Sequence, residues 1–216
     1  MNQGTSEVFS SWEKKAEAAR NLIRRALPGA KKPAIGFSGG KKSVVLLHMI
    51  RQEFTLPLKV IYVRPAEEIK NMGWFTEKLK KLWHLDLTIE LARDNEAAAD
   101  LQLCCRPPIA AALGQLVQTN AIDCLFLGNS AEDPRQIKLQ NDCEITYINP
   151  IFDLSDKDIH KYIKEYKVPH CSLYDEGYGK LDCRRCTQIP AAKPLDINAV
   201  EEETLIKEKL KQLGYL

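Results

Sequence analysis

No charge of one sign dominates this chain. Its 31 Lys and Arg stand against 29 Asp and Glu over 216 residues, a formal net charge of +2. Nothing in that balance announces a nucleic-acid or membrane partner. Long uncharged apolar runs are missing, which excludes a transmembrane helix. The opening MNQGTSEVFSSWEKK turns charged where a secretory leader needs its apolar stretch, so a cytoplasmic protein is expected. Internal repeats and low-complexity tracts are absent, which argues against solenoids and linker-like segments. What remains fits one globular core with an appended helix: 24.5 kDa, 44% hydrophobic and 28% charged.

Cysteine is the unusual presence. There are seven: Cys104, Cys105, Cys124, Cys143, Cys171, Cys183 and Cys186. In a reducing compartment such a set is metal-binding, catalytic or simply buried, and placement decides which. Two are adjacent and two form a Cys-x-x-Cys; the others stand alone. A Cys-x-x-Cys by itself is compatible with a redox pair, half a zinc site or chance.

Hydrophobic periodicity gives the framework. Residues 6–26 carry Val8, Trp12, Ala16, Ala19, Leu22 and Ile23 at helical spacing and end at Leu-Pro-Gly. Strands are expected over 34–37, 58–63, 85–91 and 123–128, with a short fifth around 144–151. Helices are expected over 43–54, 69–83 and 107–119, and Ser155-Asp-Lys-Asp158 is a capping box opening a helix to about residue 166. Alternation of this kind predicts a doubly wound α/β fold with a mainly parallel sheet. Residues 168–197 are aperiodic and rich in Pro, Gly, Cys and Tyr, as a functional loop would be, and a charged helix is expected over 201–213. The organisation read from this is an N-terminal helix (1–27), a nucleotide-binding domain with a Cys-rich loop (28–197) and a C-terminal helix (198–216).

Ser38-Gly-Gly-Lys-Lys-Ser43 lies between a predicted strand and a predicted helix, at the carboxyl edge of the sheet. The glycines let the backbone approach a ligand, Ser38 and Ser43 offer hydroxyls, Lys41 and Lys42 add charge, and the helix N-terminus offers N–H groups to an anion. It is not a Walker A loop, because the four-residue spacer between the glycines is missing. GFSGGKKSVVLLHM resembles the PP-loop, SGGKDS, of the adenine-nucleotide α-hydrolase superfamily. That resemblance implies that Ser38, Gly39, Gly40, Lys41, Lys42 and Ser43 bind the phosphates or sulfate of an adenine nucleotide. Lys42 replaces the family's Asp; an ammonium there would pair directly with an anionic group rather than help hold Mg²⁺.

INPIFDLSDKDIHKYIKEYKVPHCSLYDEGYGKLDCRRCT, residues 148–187, resembles the corresponding stretch of the APS/PAPS (sulfonucleotide) reductases within that superfamily, and CCRPP at 104–108 extends the likeness. FAD synthases share SLYDxGY but not the paired cysteines. Reductases with both cysteine pairs bind a [4Fe–4S] cluster, so the resemblance implies Cys104, Cys105, Cys183 and Cys186 as its ligands, with Arg106, Arg184 and Arg185 near its charge. Four thiolates suit such a cluster, and adjacent ligands are awkward for one tetrahedral Zn²⁺. It also implies Arg135, in GNSAEDPRQIK, as a cation on the nucleotide's phosphates or sulfate. Arg64-Pro65 replaces the Asp-Thr that in the family follows the second strand, where adenine or ribose is contacted.

The remaining singular residues are expected to be structural: Cys124, His48 and the three tryptophans as packed residues, His170 in a loop, Cys143 and Cys171 without partners. The reductases attack the sulfonucleotide with a thiol in an ECGLH-like tail, whereas no cysteine follows Cys186 here. The catalytic nucleophile is thus unassigned, and three readings are open. One is a sulfonucleotide reductase that forms sulfite and AMP or its 3′-phosphorylated form, using a thioredoxin-like or other electron-donor protein. A second is an ATP-dependent sulfurtransferase acting on tRNA or DNA. A third is a non-catalytic nucleotide- and cluster-binding subunit. The N-terminal helix can pack in cis or join two copies as a homodimer.

Overall fold

A computed structural model describes residues 11–55, 58–93, 105–132, 145–181 and 183–187. Five parallel strands form one sheet in the order β3-β2-β1-β4-β5: β1 (Pro33–Phe37), β2 (Lys59–Arg64), β3 (Asp86–Leu91), β4 (Cys124–Leu127) and β5 (Thr146–Ile148). The helices are α1 (Ser11–Ala26), α2 (Lys41–Glu53), α3 (Lys70–Trp83), α4 (Arg106–Thr119) and α5 (Asp156–Glu165). The strand order reverses between β1 and β4, which opens a crevice at their carboxyl ends, where doubly wound sheets bind ligands.

Strict alternation along the strands builds two cores. Ile35, Phe37, Val60, Tyr62, Cys124 and Phe126 face one side, where α1, α2, α3 and α5 pack. Ala34, Ile61, Val63, Leu125 and Leu127 face the other, against Leu113 and Val117 of α4. Helix α2 is buried from Ser43 through Leu47 and again at Met49 and Ile50, the all-round apolar pattern of a central helix. Helix α1 joins the first core through Ala16, Ala19 and Ile23, so over its described residues the amphipathic helix packs in cis.

The expected capping box is present: Ser155 accepts from Asp158 N at 3.2 Å, and Asp158 Oδ2 accepts from Ser155 N at 3.1 Å. Lys15 Nζ sits 2.9 Å from the same Asp158 oxygen and ties α1 to α5. Burial pushes the Asp158 carboxyl up, but the bonds from Lys15 and Ser155 outweigh it and hold it below its ordinary value.

One core assignment is corrected. Trp12 and Trp83 pack against the core, but Trp74 is 78% exposed. Helix α3 buries Met72, Phe75, Thr76 and Leu79, and Trp74 falls on its opposite face. The expected C-terminal helix over 201–213 lies outside the described residues. No described helix is long and apolar enough to cross a membrane.

Candidate functional site

Strand β1 runs into Ser38-Gly39-Gly40, and α2 begins at Lys41. Gly39 has φ +71°, a conformation that favours glycine, and it lies against Met72 at the start of α3. The N-cap residue of α2 is Gly40, which has no side chain to cap the helix's first N–H groups. Ser43 Oγ donates to Gly40 O at 2.9 Å and accepts from Ser38 N at 3.3 Å; the two serine oxygens are 3.2 Å apart. The hydroxyls therefore brace the turn from within.

Gly128, just after β4, completes the fit. A Cβ there would lie 3.0–3.1 Å from backbone atoms of Lys42 and Ser43, so only glycine lets β4 approach the first turn of α2 this closely. Tyr174, from the Ser-Leu-Tyr-Asp stretch, closes over the loop. Its hydroxyl accepts from Lys41 N at 3.3 Å, and its ring lies 4.4 Å from Lys41 Nζ.

Lys42 Nζ forms an ion pair at 2.9 Å with Asp156 Oδ1, the first residue of α5. The ammonium thus has a carboxylate of its own chain beside it, which stands there in keeping with the preference of helix N-termini for acids. Both residues border the same cleft, which encloses about 220 Å³.

The opposite wall carries thiols. Cys105 precedes α4, and Cys183 and Cys186 flank a tight turn, with Thr187 N and Cys186 N donating to Cys183 O at 3.0 and 3.1 Å. The three Sγ atoms lie within 4.8 Å of one another, and Cys105 and Cys186 are 3.8 Å apart. Cys105 and Cys183 are buried. Burial, together with the neighbouring thiols, pushes the Cys105 thiol up to about 12. Three soft donors gathered in a dry recess suit a thiophilic metal centre, whose binding displaces their protons. The Cys105–Cys186 separation of 3.8 Å matches thiolates around a single ion, about 3.8 Å for metal–sulfur bonds of about 2.3 Å. A four-iron cluster seats each ligand on its own iron and requires these thiols to spread. Cys104, like Arg135 and Cys143, lies outside the described residues.

The arginines of Cys-Arg-Arg-Cys both reach Glu67. Arg184 N donates to Glu67 O at 2.8 Å, Arg184 Nη2 lies 3.2 Å from Glu67 Oε2, and Arg185 Nε donates to Glu67 Oε1 at 2.7 Å. They fasten the cysteine turn to the loop after β2, because the adjacent carboxylate is a better partner than thiols. Bonds from Arg185 and Arg184 hold the Glu67 carboxyl below its ordinary value. Arg106 borders the cleft, as do Lys180 and Leu181.

Glu67 and Glu68 were not legible as site residues, although two acids between a strand and a helix are the available signal. Glu68 faces the cleft, where its Oε1 accepts from the buried Tyr62 hydroxyl. Arg64 Nε stands 3.3 Å from Glu68 Oε2, an ion pair without hydrogen-bond geometry.

The packed assignments hold elsewhere. Cys124 lies in β4 and Cys171 in the first core; burial raises both thiols, Cys124 to about 11. His48 Nδ1 lies 3.0 Å from the Tyr162 hydroxyl, and burial and nearby Arg20 and Arg51 lower its pKa. His170 Nε2 lies 2.9 Å from Asp175 Oδ1.

A phosphate loop at a topological switch point, braced by serines and faced by lysines, defines the PP-loop class of adenine-nucleotide-binding α/β proteins. Within that class the chain belongs to the phosphoadenosine phosphosulfate reductase domain family, whose model matches residues 32–189. It is 25% identical over 205 residues to phosphoadenosine 5′-phosphosulfate reductase of Xylella fastidiosa, covering 87% of this chain and 84% of the relative. In fold it resembles the Candida auris phosphoadenylyl-sulfate reductase (TM-score 0.65, 16% identity, 83% of this chain and 98% of that one). It also resembles the Candida glabrata FMN adenylyltransferase (TM-score 0.64, 14% identity, 95% and 84%).

Proposed function

We propose that the cleft binds an adenine sulfonucleotide and that the chain reduces it to sulfite and AMP, or to the 3′-phosphorylated form of AMP. The observation that carries this reading is a shared cleft: the Ser38–Ser43 loop and two of the three clustered thiols, Cys105 and Cys183, border one cavity. A nucleotide whose phosphate lies on the loop and α2 N-terminus would direct its sulfo group toward the thiol wall.

The transfer has two steps. A thiolate attacks the sulfo sulfur, the sulfur–oxygen bond to phosphate breaks, and the nucleotide leaves with both electrons of that bond. A second thiol then displaces sulfite and leaves a disulfide. An external dithiol or thioredoxin-like donor is assigned both roles. Lys41, Lys42 and Arg106 supply the positive charge that the departing phosphate needs. Lys42 favours this reaction over ATP cleavage, because the loop carries an ammonium where a Mg²⁺-binding carboxylate would be required.

The metal centre assigned to the thiols is a [4Fe–4S] cluster held by Cys104, Cys105, Cys183 and Cys186. Their pairing as adjacent residues and Cys-x-x-Cys supports this, since adjacent ligands reach separate corners more readily than one ion. When bound, the cluster supplies a redox-active charged group beside the substrate.

Anaerobically prepared protein given a sulfonucleotide and excess dithiol should release sulfite and nucleotide in equal amounts. Pyrophosphate release from ATP with an RNA or DNA acceptor, and no sulfite, would overturn the reading in favour of a sulfurtransferase. Nucleotide binding without turnover would leave a binding subunit.

A further inference from the structure

We infer that Glu68 is a specificity-determining residue that selects nucleotides with unmodified ribose hydroxyls over those phosphorylated on the ribose. This rests on the reading that the cleft takes an adenine nucleotide. The position is the first argument. Glu68 follows β2, one strand away from the phosphate loop on β1, and it borders the cleft together with Tyr62, Val63 and Met72. Its Oε2 rests on Gly73, where a Cβ would come within 2.6 Å of it, and the neighbouring Met72 packs on Gly39 of the loop. One turn of α3 therefore spans the distance from the phosphate loop to the carboxylate. That is the reach of a ribose attached to a loop-bound 5′-phosphate.

Chemistry is the second argument. A carboxylate beside a vicinal diol accepts two hydroxyl protons, and in doubly wound sheets an acid near the end of β2 plays this part. Glu68 is held for it: the Tyr62 hydroxyl donates to Oε1 and the Arg64 guanidinium lies beside Oε2, while the side chain is only 15% exposed. Glu68 is among the residues that border the cleft and Arg64 is not, so the ligand-facing group of this pair is the carboxylate. A ribose phosphate would be brought against a carboxylate with little water between them, which is repulsive. Arg64 would attract such a phosphate, but its charge is already engaged by Glu68 at 3.3 Å.

The test uses the full chain and two ligands, AMP and adenosine 3′,5′-bisphosphate, titrated calorimetrically. AMP should bind at least about tenfold more tightly, the scale of one screened charge–charge contact at partial burial. Glu68→Gln, which keeps an acceptor for Tyr62, should bring the ratio near one. Arg64→Gln should widen it, because the carboxylate then stands uncompensated; a purely structural role for Glu68 would not give these opposite responses. A wild-type chain that binds the bisphosphate as tightly as AMP, or a ratio unmoved by Glu68→Gln, would overturn the inference alone. If Glu68→Gln fails to fold, an unchanged or narrowed ratio in Arg64→Gln overturns it equally. If neither nucleotide binds the wild-type chain, the functional reading falls, and the inference with it.

Discussion

Lys42 is the residue at which composition and geometry part company. Sequence makes it a cation in a phosphate loop; the fold gives it Asp156 at 2.9 Å as a partner. The pair is partly exposed, and such pairs contribute little to stability, so its consequence lies in ligand choice. Lys42→Asp would place two carboxylates together at the mouth of the loop, a better site for Mg²⁺ than for a bare anion. Sulfonucleotide affinity should fall about tenfold, and ATP binding should rise and become Mg²⁺-dependent, which calorimetry with and without chelator would measure. Gly128 makes a second residue-scale prediction. Its missing Cβ is occupied by the α2 backbone, and backbone cannot rotate aside as a side chain can. Gly128→Ala should cost about 1–3 kcal/mol in denaturant unfolding and weaken nucleotide binding, because the first turn of α2 must shift.

At the scale of elements, the Cys-Arg-Arg-Cys turn is closed by its own backbone bonds and fastened to the loop after β2. Glu67→Ala removes both guanidinium contacts while leaving the cysteines intact. Metal should then be lost to a chelator about tenfold faster, with little change in the melting temperature, since outer contacts tune metal sites more than folds. A second prediction concerns the α1–α5 junction. Asp158 has a depressed pKa in the folded chain, so its contribution is fully present above the ordinary aspartate range and is lost as pH falls through the lowered value. Lys15→Met should lower stability most near neutral pH, and its difference from the wild type, read by circular dichroism in denaturant at each pH, should shrink as pH falls through the aspartate range.

These elements also show what could be read from sequence. Strands β1, β2 and β4 announce themselves because burial on both faces leaves almost uninterrupted apolar runs, and the α5 capping box is a purely local pattern. The phosphate loop is local as well, and so are the two cysteine pairs. Contacts that join distant segments were not legible. Arg184 with Glu67, Lys42 with Asp156 and Lys41 with Tyr174 are each separated by more than a hundred residues, and no local periodicity encodes such pairings. Trp74 failed for a different reason: its spacing fits a helix, but Met72, Phe75 and Leu79 claim the buried face.

At the scale of the whole molecule, the central claim is that one cleft serves both chemistries, with phosphate recognition on the β1–α2 side and thiols on the α4 side. Strand order produces this, because the reversal between β1 and β4 sets the loop after β1 beside the entry to α4. The most direct measurement is a sulfonucleotide titration of anaerobic, metal-loaded protein, followed by the thiolate-to-metal absorption of the centre. A saturable spectral change, with the same midpoint as nucleotide binding measured calorimetrically, is predicted. Full nucleotide binding with the spectrum unaltered would contradict a shared site and separate the metal centre from the reaction.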